Sequence, residues 1–109
     1  MVFGIPTCET VRKARSWLRS EGLAHDFVDL REHPPDGERL GRWLDAFGHL
    51  PLRNTSGGSF RALPPEKQAW SRDQWRRAFE GDPMLLRRPV IERAGRPIKV
   101  GWNPAGLPD

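Results

Sequence analysis

The chain reads as an α/β domain: a small mixed four-stranded sheet flanked by helices, with a helical insertion between the two halves of the sheet. Three observations predict it. A short apolar run at the start is followed by an amphipathic helical pattern and a second apolar run, the order of a parallel βαβ unit. Near the end, two strand-like runs are separated only by Ala94-Gly95-Arg96-Pro97, a connection so short that it forces an antiparallel hairpin. Between these halves, over about 36–82, the pattern is helical.

The elements follow in order. Met1 to Ile5 is the first strand, punctuated by Gly4 and Pro6. A helix over Cys8 to Glu21 places Val11, Ala14, Trp17 and Leu18 on one face, with Thr7 as a cap-like residue before it and Gly22 as its stop. Ala24 to Leu30 is the second strand, and a right-handed crossover is the rule for such a unit. Asp36 caps a helix over Glu38 to Phe47, where Leu40, Trp43, Leu44 and Phe47 form an apolar stripe. Gly48 ends it, and Pro51 to Arg61 reads as a polar glycine-rich loop. Pro64-Pro65 opens a short helical segment, Ser71 caps a helix carrying Trp75, Ala78 and Phe79, and Asp82-Pro83 starts one more turn through Leu86. Arg88 to Arg93 and Ile98 to Val100 are the hairpin strands, and the tail from Asn103 to Asp109 is irregular. This order is the thioredoxin-like plan, and 1–109 reads as a single domain.

Composition removes several function classes. One cysteine excludes an internal disulfide, a Cys-x-x-Cys redox pair and a multi-cysteine zinc site, and it suits a reducing, cytoplasmic setting. No run approaches the ~18 apolar residues of a membrane span, and no secretion signal is expected. The net charge is +4, supplied mostly by arginines scattered through every segment. Scattered cations form a solvated surface, so no direct nucleic-acid contact is expected, while attraction of small anions is. His25, His33 and His49 lack metal-ligand spacing, so no metal is expected. Trp17, Trp43 and Trp75 sit on apolar helix faces and belong to the core.

The chemistry then points to Cys8. The helix pattern places its sulfur in a first turn, where unpaired N–H groups and the positive end of the helix dipole favour the thiolate, the nucleophilic form. Thr7 and Thr10 are caps first, though Thr10 can donate to the thiolate. Arg12 and Lys13, one turn on, read as solvated helix charges able to attract carboxylates.

Gly4-Ile5-Pro6-Thr7-Cys8-Glu9-Thr10, Asn54-Thr55 before Gly57-Gly58-Ser59-Phe60-Arg61, Leu85-Leu86-Arg87-Arg88-Pro89-Val90 and Val100-Gly101-Trp102 occur together and in order. As a set they resemble the ArsC/Spx superfamily of thioredoxin-like proteins, nearest its YffB-type, arsenate-reductase-related branch, from Met1 to about Trp102.

The resemblance implies that Cys8 is a single nucleophile and that Arg88-Pro89 is a cis pair facing it. On that basis Arg88 joins Cys8 as catalytic, lowering the thiol's hold on its proton and holding an anion in its planar fork. It further implies that Thr7, Thr10, Lys13, Asn54, Arg61, Arg88 and Pro89 bind substrate or glutathione; the Asn54–Gly58 stretch reads either as a plain turn or, by analogy with mobile loops, as a loop closing over the site. Nothing would be permanently bound; glutathione would be a co-substrate, with glutaredoxin as a further partner and a small oxyanion or disulfide as substrate. The expected activity is that of a glutathione-dependent thiol–disulfide oxidoreductase related to arsenate reductase. The alternative is an Spx-like regulator that binds RNA polymerase, without an internal disulfide switch because Val11 stands where the second cysteine would be. The chain departs from the family pattern at Ser56, where an arginine is common, with Arg53 and Arg61 flanking the gap. Lys99 is the only basic residue in the final strand's Ile98–Gly101 stretch.

Overall fold

The computed structural model describes Met1 to Pro108; Asp109, the end of the tail read as irregular, lies outside the described residues. The chain forms two compact units, one made of Met1–His33 and the segment from Arg88 onward, the other of Pro34–Arg87.

The sheet unit contains β1 (Val2–Gly4), α1 (Glu9–Ser20) and β2 (Phe27–Asp29) from the first half of the chain. The helical unit contributes α2 (Gly37–Phe47), α3 (Gly58–Arg61), a 3₁₀ turn at Pro65–Ala69, α4 (Arg72–Gly81) and a second 3₁₀ turn at Pro83–Leu85. The chain then returns to the sheet with β3 (Val90–Arg93) and β4 (Arg96–Val100). No helix of the described residues is long and apolar enough to cross a membrane.

The sheet has the order β2-β1-β3-β4, with β1 and β2 parallel and the other pairings antiparallel. This is the mixed four-stranded sheet expected from sequence. Val2, Leu18 and Ile91 form its buried cluster, and Trp17, Phe27, Ile98, Trp102 and Leu107 pack against it half-buried. Gly4 is required where it stands: a Cβ there would lie 2.6 Å from Cγ2 of Val11, so β1 and α1 approach too closely for any side chain.

In the helical unit, Leu40, Trp43 and Leu44 of α2 are buried as the stripe predicts, and Trp75 and Phe79 of α4 are buried with them. Asp36 caps α2 by accepting from the Arg39 N–H at 2.8 Å. Ser71 and Gln74 close a reciprocal capping box at the start of α4. Arg72 ties α4 to α2, donating to the Gly41 carbonyl at 2.9 Å and to Asp45 Oδ1 at 2.6 Å. A short antiparallel bridge, Asn54 N–H to Leu85 O and Arg87 N–H to Leu52 O, both at 2.8 Å, closes the unit.

Three local expectations are corrected. Both early strands are shorter than the apolar runs that announce them. The Pro51–Arg61 stretch is not all loop, because Gly58–Arg61 closes a single helical turn. The hairpin turn is two residues rather than four: Ala94 and Gly95 take φ values of 51° and 77°, so β4 begins at Arg96, inside the predicted turn. Paired positive φ values match the twist of the flanking strands, which is why a two-residue turn wins.

Candidate functional site

The site begins where β1 runs out. Ile5 to Cys8 form a β-turn with Pro6 in its second position, closed by the Cys8 N–H donating to the Ile5 carbonyl at 3.2 Å. Cys8 is thereby the N-cap of α1, extended at φ −78° and ψ 121°, with its carbonyl accepting from the Arg12 N–H at 3.0 Å. This corrects two expectations. The sulfur precedes the first helical turn instead of lying in it, and Thr7 is the third residue of the β-turn, so it is not the cap. An N-cap side chain reaches the N–H groups two and three residues on, here Thr10 and Val11. The thiol makes no hydrogen bond in that role. Those amides remain at the positive end of the helix, placed to receive a thiolate. Cys8 is free and half-buried.

Arg12 holds this turn from the helix side. Its Nε donates to the Pro6 carbonyl and its Nη2 to the Thr7 carbonyl, both at 3.2 Å. It stays exposed, as the solvated reading expects, and it also ties the turn before Cys8 to the helix. The available signal was its spacing four residues after Cys8, which turns its side chain back toward the preceding turn.

Arg88 and Pro89 come to the same end of the sheet. The register pairs Val2 with Ile91 and Phe3 with Val90. Pro89 and Arg88 directly precede β3, at the end of the β1–β3 ladder where β1 runs on toward Ile5 and the turn. The Arg88–Pro89 bond is cis. Pro89 is buried, and its carbonyl accepts from the Gly101 N–H at 2.8 Å, while Arg88 is half-buried. Thr7 and Thr10 are exposed beside Cys8, and Lys13 is exposed with its Nζ 3.6 Å from Glu9.

Asn54 and Arg61 belong to the helical unit, where their hydrogen bonds knit one loop. Asn54 accepts from the Ser56 hydroxyl at 3.2 Å and donates to the Met84 carbonyl at 3.4 Å, and Arg61 donates to the Ser56 carbonyl at 3.1 Å. Arg53, in the same stretch, lies 4.2 Å over the Trp75 ring and contacts His49 Nδ1 through Nη2 at 2.7 Å. Burial and the Arg53 charge push the His49 imidazole below its ordinary value, and burial lowers that of Arg53. A neutral His49 ring is the form that accepts from a guanidinium.

A mixed β2-β1-β3-β4 sheet, with a cis-proline leading into β3 and a lone cysteine capping α1, defines a thioredoxin-like domain of the single-cysteine type. The ArsC family pattern matches residues 3–108, and the chain belongs to the ArsC family. A solved YFFB protein structure superposes with a TM-score of 0.86 at 33% identity, covering 95% of this chain and 91% of that one. The arsenate reductase of Neisseria meningitidis serogroup A is 28% identical, over 90% of this chain and 91% of its own. The global transcriptional regulator Spx of Lactiplantibacillus plantarum is also 28% identical, over 94% of this chain and 79% of its own.

Proposed function

We propose that the chain is a glutathione-dependent thiol–disulfide oxidoreductase in which Cys8 is the nucleophile and glutathione the resolving thiol. The observation that carries this reading is the lone cysteine at the N-cap of α1, on the turn clamped by Arg12 and at the end of the sheet that bears Arg88-Pro89.

The chemistry balances without a second cysteine. The Cys8 thiolate attacks one sulfur of a substrate disulfide, a Cys8–substrate disulfide forms, and the other half leaves as a thiolate that takes a proton. A glutathione thiolate attacks the Cys8 sulfur and expels the second substrate thiol, leaving Cys8 joined to glutathione. A second glutathione releases Cys8 and departs as oxidised glutathione, so two glutathiones are oxidised for each disulfide reduced. Arg88 would hold anionic charge on the substrate or on glutathione, as would Thr10 and Lys13. The arsenate reductase relative supports an oxyanion as an alternative substrate for the same sulfur. Glutaredoxin is the natural further partner for removing glutathione from Cys8.

The test is alkylation kinetics with mass spectrometry, followed by incubation with oxidised glutathione. Cys8 is expected to react faster than an unstructured cysteine at the same pH and to take up one glutathionyl group, and Cys8→Ser is expected to take up none. Arg12→Met is expected to slow both reactions severalfold by releasing the Pro6 and Thr7 carbonyls, with Arg12→Lys recovering part of the rate. Alkylation at an ordinary thiol's rate with no adduct sinks the reading.

The Spx likeness favours a second reading, binding to RNA polymerase without a disulfide switch. Retention of polymerase from a bacterial lysate by this chain, unchanged in Cys8→Ser, would support it; a clean lysate would remove it.

A further inference from the structure

At the opposite end of α1 from Cys8, the core of the sheet unit is left open. Leu18 lies ten residues beyond Cys8, about 15 Å along the helix axis. There, Leu18, Ile91, Ile98 and Leu107 floor a cavity of about 320 Å³. Met1 and Leu23 flank it, each 41% exposed, and they are two of the three large hydrophobic side chains left exposed among the described residues. Apolar side chains gathered around one opening mark a binding surface more than isolated ones do.

The rim carries arginines beside a histidine. Arg93 and His25 line the cavity, and an adjoining hollow that shares Leu23, Ala24 and His25 adds Arg15 and Arg19. Arg15 is held in place, with Nε donating to His25 Nε2 at 3.2 Å and its guanidinium 4.3 Å over the Phe27 ring. None of Arg15, Arg19 and Arg93 has an ion-pair partner among the described residues. In the helical unit, by contrast, Arg42, Arg72, Arg76 and Arg77 are all paired with carboxylates. Glu92 is the one acid lining either hollow and it is buried, while Glu21 and Asp26 line neither.

We propose that this cavity binds a small amphipathic carboxylate, with its apolar chain on Leu18, Ile91, Ile98 and Leu107 and its head group against Arg15, Arg19 and Arg93. A guanidinium fork matches a carboxylate, and an apolar floor beside a few fixed polar groups is the usual composition of a ligand site. The volume sits at the low end of the roughly 300–1,000 Å³ typical of such sites, which suits one unbranched chain or one ring. The site is independent of Cys8 chemistry.

The experiment is an NMR titration of the full chain, methyl-labelled at Ile, Leu and Val, with decanoate and, separately, decanol. Saturable shifts confined to Leu18, Leu23, Ile91, Ile98 and Leu107 are expected, with decanol at least fivefold weaker. The triple variant Arg15→Gln/Arg19→Gln/Arg93→Gln should weaken decanoate at least fivefold and leave decanol unchanged. Leu23→Glu, at an exposed position that spares folding, should weaken decanoate, and Cys8→Ser should bind it as the native chain does. No saturable shift, shifts elsewhere, or equal affinity for decanoate and decanol would overturn the proposal. So would capture of an acidic peptide with an apolar anchor in place of decanoate.

Discussion

In the sheet unit the buried cluster draws Val2, Leu18 and Ile91 from three elements spread over nearly the whole chain, and the strand register holds them together. The helical unit gathers its rings from a single stretch. His49 and Phe60 stack on Trp75 with centroids at 6.0 and 6.4 Å, Trp70 meets it edge-on at 5.0 Å, and Phe79 packs beside it at 5.7 Å. Their charges differ as well: ion pairs bind the helical unit's α4 arginines, while among the described residues Arg15, Arg19 and Arg93 of the sheet unit have no ion-pair partner. The helical unit therefore depends on one ring and its surroundings, and the sheet unit on close backbone approach.

Trp75→Ala should break this contrast most forcefully. Removing a fully buried ring costs about 3–5 kcal/mol, read as a lower urea midpoint. Amide exchange should rise in α2 and α4; an equal rise across β1–β4 would show that the ring governs more than its own unit.

Gly4→Ala attacks the sheet unit where it is tightest. With a Cβ meeting Val11 at 2.6 Å, β1 and α1 must part, at a cost of about 1–3 kcal/mol in equilibrium unfolding. Because the Cys8 turn begins at Ile5, alkylation of Cys8 should change as well, whereas Trp75→Ala should change it less.

Ala94→Asn sharpens the contrast from the stabilising side. Ala94 holds φ 51°, a left-handed conformation that asparagine tolerates better, so the variant should gain about 0.5–1 kcal/mol in the same measurement.

The smallest effect belongs to the pH response of His49. Its folded value is lowered, so between that value and 6.5 the unfolded chain binds more protons than the folded one. Stability from this group is full above 6.5 and is lost as pH falls through the lowered value. His49→Gln should flatten thermal melting between pH 7.5 and 5 relative to the native chain.

Local patterns carried much of the fold. The α2 stripe, the Asp36 and Ser71 caps and the forced β3–β4 hairpin all depend on residues within a few positions of each other, so periodicity and turn chemistry reveal them. The α3 turn was missed because Gly57-Gly58-Ser59 carries no apolar period. The hairpin turn is shorter than the four-residue connection the sequence suggests, because paired positive φ values at Ala94 and Gly95 match the strand twist. The place of Cys8 between strand and helix was legible in the sequence, and the structure puts it at the N-cap of α1. Arg12 shows its contact with the turn in sequence only through its spacing four residues after Cys8, since an arginine on a helix otherwise looks the same whether it meets water or two carbonyls.

The sequence by itself determined the order of elements, the one available thiol, its place at a helix start and the family resemblance that the ArsC pattern bears out. Each follows from short-range propensity or from residue identity. Only the tertiary structure decided that Cys8 is a cap outside the first turn, that Arg88-Pro89 leads into the strand paired with β1, and that Arg93 lines an open apolar cavity at the far end of α1 with Arg15 and Arg19 on the hollow beside it. Strand register and the packing of α1 on the sheet set those placements, and they join residues more than 70 positions apart that no local pattern relates.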